Sequence, residues 1–223
     1  MITPEHLGAD LEDIEDVLKK IEKSYNIAFE KNEFQNIKTF GAICDHIVSK
    51  INLPNTDDCT SQQAFYKLRD AIVKTKNIER EVIKLDSRLV DVFPKHNRRK
   101  QIADLETKLE FKLNVLQPHY FIIWVLIAAL IGSIVFLFFR LEYALVGLAT
   151  SLLLLFVVNK TGREFKINTV GEVAERMTQE NYFKSRRNLA VMNKAEIPKE
   201  IEKIFLTYLV TDLKEITRDT LVI

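Results

Sequence analysis

Apolar and polar positions divide this chain into three stretches of different texture. In the first, apolar side chains recur three and four residues apart with charges between them. The sets are Val17, Leu18, Ile21 and Tyr25; Phe40, Ile43, Cys44 and Ile47; Phe65, Leu68, Ile72 and Val73; and Ile102, Leu105, Leu109 and Leu113. That spacing puts each set on one face of a helix. Thr60 and Gln63 form a capping-box pattern, which predicts a helix start after the Leu53-Pro54-Asn55 break. In the second stretch, residues 120–158, the only charged side chains are Arg140 and Glu142. The third returns to the helical period at Val170, Val173, Ala174 and Met177. It does so again at Ile201, Ile204, Phe205 and Leu209, behind Pro198, a residue suited to a first helical turn. No run sustains strand alternation, so the expected fold class is all-α.

The middle stretch has the composition of a membrane anchor. About 20 apolar residues cross a bilayer core as a helix, and residues 120–139 supply such a run without a charge. Its Leu, Ile, Val and Phe side chains contribute about 0.3 to 0.6 kcal/mol each to insertion. Residues 143–158 form a shorter run that needs Leu141 or local thinning of the bilayer to span. The two together predict a transmembrane hairpin with a turn so short that both flanks emerge on one face. Lys108 and Lys112 precede it and Lys160, Arg163 and Lys166 follow it. By the positive-inside rule this predicts an integral membrane protein of two spans with both termini cytoplasmic. A buried hairpin of a soluble domain is the disfavoured alternative, and the mid-chain position does not fit a cleaved targeting signal. The spans hold none of the ionisable groups that transport relies on. Gly132, Ser133, Gly147 and Ser151 are expected to let the two helices pack closely.

Charge changes the picture of the remainder. The net charge is only +1, yet residues 1–58 hold twelve acids against six bases. An acidic helical unit suits a protein partner with a basic surface and disfavours nucleic acid. Glu12, Asp13, Glu15, Asp16 and Glu22 are the candidate docking residues, weighed against an ordinary solvated helix face. Two basic clusters, around Arg98, Arg99 and Lys100 and around Arg186 and Arg187, are candidates for contact with lipid headgroups or an acidic partner. Cys44 and Cys59 read as plain thiols, and His6, His46, His96 and His119 lack ligand spacing, so no metal is expected. No Gly-rich phosphate loop, H-x-x-x-x-D or G-x-S-x-G element occurs. No catalytic residue is nominated, and the chain is not expected to be an enzyme.

An internal repeat is visible. Ile37-Lys38-Thr39-Phe40-Gly41-Ala42-Ile43-Cys44-Asp45 aligns without a gap to Ile167-Asn168-Thr169-Val170-Gly171-Glu172-Val173-Ala174-Glu175. Ile83-Lys84-Leu85-Asp86-Ser87-Arg88-Leu89 likewise aligns to Ile216-Thr217-Arg218-Asp219-Thr220-Leu221-Val222. Two small units on one plan are expected.

Leu7-Gly8-Ala9-Asp10, then Asp13, Val17, Leu18, Ile21-Glu22, Tyr25, Phe29 and Ile37-Lys38-Thr39-Phe40-Gly41 to Ile47, resembles the acyl carrier protein family from its second helix to its fourth. In that family the serine after the aspartate of a D-L-G-x-D-S-L turn carries phosphopantetheine. Here that position is Leu11, which has no hydroxyl, so the resemblance implies no cofactor. A second unit resembles the family through residues 65–83, the turn at Asp86, Leu89 and Asp91, residues 98–113 and the helix from Thr169. Its serine position falls at Lys95 or His96 and is also unchargeable.

The implied organisation is a first acyl-carrier-like unit at residues 1–53 and a second at 60–117 plus 160–182. The transmembrane hairpin is inserted at 120–158. Residues 195–223 resemble a carrier protein's first helix and loop and complete the first unit. They do so in the same chain, or as a swap in a neighbouring copy that makes a homo-oligomer. The implied function is a non-catalytic, membrane-anchored docking or scaffold protein associated with lipid or acyl-chain metabolism. The alternatives are an acyl carrier modified at an atypical residue and a small oligomeric channel.

Overall fold

Each helical period in the sequence folds as a helix. The computed structural model describes residues 6–209 and 213–222; residues 1–5, 210–212 and 223, which belong to the first and last expected segments, lie outside it. The helices are α1 (Leu11–Tyr25), α2 (Phe40–Lys50), α3 (Thr60–Lys76), α4 (Leu89–Val92), α5 (Arg98–Leu109), α6 (Tyr120–Phe136), α7 (Leu141–Thr161), α8 (Val170–Glu180), α9 (Tyr182–Ser185) and α10 (Ile197–Tyr208), with a 3-10 turn at Arg80–Val82. One antiparallel pair, β1 (Leu116–Gln117) and β2 (Glu164–Phe165), is the only ladder among the described residues. The fold is all-α.

The chain forms two compact units, Met1–Ile83 with Gly171–Ile223, and Lys84–Val170. This division differs from the sequence-based one at α3 and at residues 171–182, which belong to the first unit and not with residues 84–117. The reason is local bonding: Thr60, Gln63, Lys67 and Asp70 of α3 bond to Tyr182, Glu196, Arg187 and Lys184. The capping box expected at Thr60 does not form either. Thr60 is the first helical residue, and its backbone N–H donates to the Glu196 carboxylate at 3.2 Å, so a distant residue caps the helix.

In the first unit, apolar faces of α1, α2 and α10 bury one another, with Ile14, Val17 and Ile21 against Phe40, Ile43 and Ile47 and Ile201, Ile204 and Phe205. α10 packs on α1 and α2 of the same chain. Each such side chain contributes about 1.5 to 3 kcal/mol on burial. Residues 216–222 then run between two backbones. Leu7 N–H donates to Leu221 O at 2.8 Å, Val222 N–H to Lys38 O at 2.9 Å and Phe40 N–H to Thr220 O at 3.0 Å.

The second unit repeats that wiring at the equivalent positions. Leu89 N–H donates to Asn168 O at 2.8 Å and Val170 N–H to Ser87 O at 3.0 Å. The Thr220 hydroxyl accepts from Thr217 N–H at 3.0 Å, as the Ser87 hydroxyl accepts from Lys84 N–H at 2.9 Å. The ends of α1 and α5 also correspond. Each is capped by a left-handed residue, Asn26 or Glu110, and a carboxylate on the last turns, Glu22 or Glu106, accepts the N–H of Phe29 or Leu113.

The apolar stretch divides otherwise than expected. α7 is the longer helix at 21 residues because Leu141 and Glu142 form its first turn and Asn159, Lys160 and Thr161 continue it. α6 has 17 residues, after which Phe138 and Phe139 bond three residues back, in the tighter 3-10 manner. α7 alone among the described helices is long and apolar enough to cross a membrane, and only 11% of its apolar window is buried. The core helix of a soluble domain would be mostly covered; here Phe121, Trp124 and Phe138 are 71%, 67% and 87% exposed. Contact between α6 and α7 is made through Ala144, Gly147 and Ser151, with Gly147 against the Ser133 side chain. Gly132 is not part of it, since nothing lies within 4 Å of where its Cβ would sit.

Gly41 is the position where the repeat motif needs glycine. Its N–H donates to Arg218 O at 2.8 Å, and an added Cβ would lie 2.8 Å from that same backbone oxygen. Gly41→Ala is expected to destabilise the first unit by about 1 to 3 kcal/mol through overpacking, read as a lowered urea midpoint. A midpoint equal to wild type would show that residues 216–222 are not held there.

Candidate functional site

α1 begins where the chain leaves Gly8, which sits at φ +68°, and passes the N-cap Asp10. Leu11 is the first helical residue and is 60% exposed. Glu12 and Asp13 occupy the first turn, where carboxylates favour the helix dipole. Glu12, Asp13, Glu15 and Asp16 are all exposed on one side of the helix, with the buried Ile14, Val17 and Leu18 on the other. Asp16 is occupied by Lys19 at 2.9 Å, which lowers the Asp16 pKa and raises that of Lys19.

Glu22 departs from the role the sequence assigned to it. Its carboxylate accepts the Phe29 N–H at 2.5 Å and so fixes the loop that follows α1, which makes it a structural residue and not part of the open acidic face. That loop, residues 29–35, folds back over α1 and encloses a cleft of 560 Å3. Leu11, Ile14, Leu18, Phe29 and Phe34 provide its apolar lining, and Glu15, Lys19, Glu22, Glu30, Lys31 and Glu33 line it with charge. Phe29 and Phe34 meet edge to face at 4.7 Å. Glu33 pins the loop to α2, accepting from Lys50 at 2.5 Å, from His46 at 2.6 Å and from the Glu30 N–H at 2.6 Å. The site is therefore a cleft along α1 beside the loop 29–35, lined by apolar and charged side chains, the exposed Leu11 among them.

Neither arginine at the head of the basic clusters is available to lipid. Arg98 is 4% exposed: its Nε donates to Phe93 O at 2.9 Å, its Nη1 to Arg163 O at 2.5 Å, and its guanidinium lies 4.5 Å from the Phe165 ring. It ties the start of α5 to the chain that follows α7. Arg186 is 2% exposed, lies over Phe183 at 5.1 Å, and none of its guanidinium nitrogens has a hydrogen-bond partner among the described residues. Burial lowers the pKa of both. Arg187 pairs with Asp70 at 2.6 Å. Of the five nominated cations, Arg99 and Lys100 remain exposed without an ion pair among the described residues.

Compared with protein-family models, curated proteins and solved structures, the chain matches none.

Sequence reasoning missed the polar centre of the first unit. Tyr182 is stacked on Tyr25 at 4.5 Å, and its hydroxyl donates to Glu196 at 2.6 Å while accepting from the Thr60 hydroxyl at 3.1 Å. Its backbone N–H donates to Ser24 Oγ at 2.9 Å. Of these five residues only Ser24 and Tyr25 are adjacent, so they form no local motif. The only sequence signal was the aromatic pair Tyr182-Phe183 amid polar residues.

Two expectations follow. Hydrogen bonds and charge from Lys50, Glu30 and His46 hold the Glu33 pKa at about 2, below its ordinary 4.5. A carboxylate depressed in the folded state stabilises above its unfolded pKa, and that contribution is lost as pH falls through the folded value. Glu33→Gln should thus lower the thermal midpoint at neutral pH and flatten its decline between about pH 4.5 and about 2. An identical acid limb in the variant would reject the assignment. Secondly, an unpaired buried guanidinium is costly, and apolar replacement of buried charge is often stabilising by about 1 to 4 kcal/mol. Arg186→Met should raise the thermal midpoint; a fall would mean that the guanidinium has a partner in solution.

Proposed function

We propose that this chain is a non-catalytic docking protein, anchored in a membrane and built on degenerate acyl-carrier-like modules. The observation that carries the reading is Leu11. The resemblance assigns the prosthetic serine to the residue after Asp10, and at that point stands an exposed leucine that cannot take a phosphodiester. What remains is the acidic surface beside it: Glu12, Asp13 and Glu15 are solvent-facing and suited to a basic patch on a protein partner.

The order of parts supports the acyl-carrier-like plan. α10, the segment 216–222, α1 and α2 follow the sequence of first helix, loop, second helix and last helix that the resemblance implies, and they share one core. The anchor reading is supported by the uncovered apolar surface of α6 and α7, which water would not tolerate. In this reading α6 with its 3-10 extension and α7 both span. Lys108, Lys112, Lys160, Arg163 and Lys166 then keep both flanks cytoplasmic.

Intact mass after coexpression with a phosphopantetheinyl transferase tests the central point. The wild-type chain should gain no pantetheine, and an adduct on any residue would make it a working carrier instead. Crosslinking from membranes should capture a partner with a basic surface, and E12K/D13K/E15K should abolish the capture. Equal capture by the triple variant would move the docking surface elsewhere.

A further inference from the structure

At the foot of α6 and α7 the second unit carries two adjoining recesses of opposite character. The first, of 290 Å3, is lined by Arg99, Ala103 and Glu106 of α5, by Lys112, and by Asn159 and Lys160 in the last turn of α7. The second, of 330 Å3, is walled by Pro118, Ile123, Leu155, Phe156 and Val158. Asn159 lines both, so the polar and apolar recesses are neighbours.

The charge in the polar recess does not cancel. Glu106 is consumed locally: one carboxylate oxygen accepts the Leu113 N–H at 2.8 Å and the other pairs with Lys112 at 3.0 Å. Arg99 and Lys160 are left exposed, with no ion pair among the described residues. The Lys160 ammonium lies 5.8 Å from the ring of Phe156, which lines the apolar recess. The recess thus has excess positive charge at the end of a helix whose surface is otherwise apolar.

We propose that the paired recess binds an anionic phospholipid, its phosphate against Arg99 and Lys160 and an acyl chain along Ile123, Leu155 and Phe156. Basic pockets beside transmembrane helices on the cytoplasmic side suit anionic headgroups. The apolar continuation distinguishes a lipid from free phosphate, which shares the headgroup chemistry but would leave that groove uncovered. This site replaces Arg98 and Arg186 as the lipid contact, since both are buried. It rests on the membrane-anchor reading.

The test uses the full chain purified in detergent, with dioleoyl phosphatidylglycerol and dioleoyl phosphatidylcholine as probes and lipid retention read by native mass spectrometry. Wild type should retain phosphatidylglycerol in preference. A basic residue near an anionic surface is worth about fivefold in affinity, so R99Q/K160Q should weaken that retention by about thirtyfold. The charge-matched control K23Q/K74Q should leave it unchanged. Displacement of phosphatidylglycerol by inorganic phosphate would assign the site to free phosphate and overturn the lipid. Vesicle flotation separates the two levels of failure. Wild type that floats with vesicles but holds both lipids equally overturns the site and leaves the anchor standing; wild type that stays soluble overturns both.

Discussion

The first unit depends on the seven-residue segment 216–222, which turns at Arg218 and Asp219. Residues 216–222 lie between the strand-like residues His6 and Leu7 and the start of α2, and bond to both sides. A three-helix set of this size buries little by itself, and α1 with α2 offers only two of the three apolar faces. α10 supplies the third, but its covalent link to α1 and α2 runs through most of the chain. The backbone bonds of 216–222 hold it in place locally, with Thr220 and Val222 buried as the segment passes. Glycine at position 41 follows from this, because the Arg218 carbonyl occupies the space of a Cβ.

A second constraint acts across the same unit. Tyr182, Glu196, Thr60 and Ser24 form a buried hydrogen-bonded centre that joins α1, α3, α9 and α10. Burial raises the Tyr182 hydroxyl pKa, and Glu196 raises it further, so the phenol stays a donor. Its bond to Glu196 leaves that carboxylate able to accept the Thr60 N–H and cap α3. One carboxylate therefore does the work that a local serine or threonine does at other helix starts, and this binds α3 to the first unit.

The parts of the fold legible in the sequence were those encoded locally. Helical period found each longer helix, and Thr39 caps α2 through the Ala42 N–H as its motif implies. The two internal echoes were legible because they encode backbone bonds, Val222 to Lys38 and Leu89 to Asn168, that recur at equivalent positions. Errors arose where a distant partner decided the outcome. Thr60 resembled a cap but is itself capped by Glu196. Glu22 resembled part of a charged face but closes a loop onto Phe29. Arg98 and Arg186 resembled surface charge, and sequence spacing carries no information about the carbonyls and rings that enclose them. The cleft under residues 29–35 was invisible for the same reason: it exists because Glu33 reaches α2.

Arg98 also explains how the apolar helices are joined to the second unit. β1 precedes α6 and β2 follows α7, and their pairing of Leu116 with Phe165 and Gln117 with Glu164 closes the base of the helical pair. Lys166 N–H to Val115 O at 2.9 Å extends the closure. Gly162 allows it, since a Cβ there would collide with the Gln117 backbone. Arg98 then bonds Arg163 O from α5, and Lys95 and Arg98 both face Glu164. The connections entering and leaving the helices are thus fixed to each other and to α5. α5 therefore cannot turn independently of α6 and α7, and Arg99 on α5 and Lys160 on α7 stay in the lining of one recess. The buried arginine positions its exposed neighbour. A recess lined by one side chain from α5 and another from α7 needs that rigidity, because free rotation of either helix would separate the two charges.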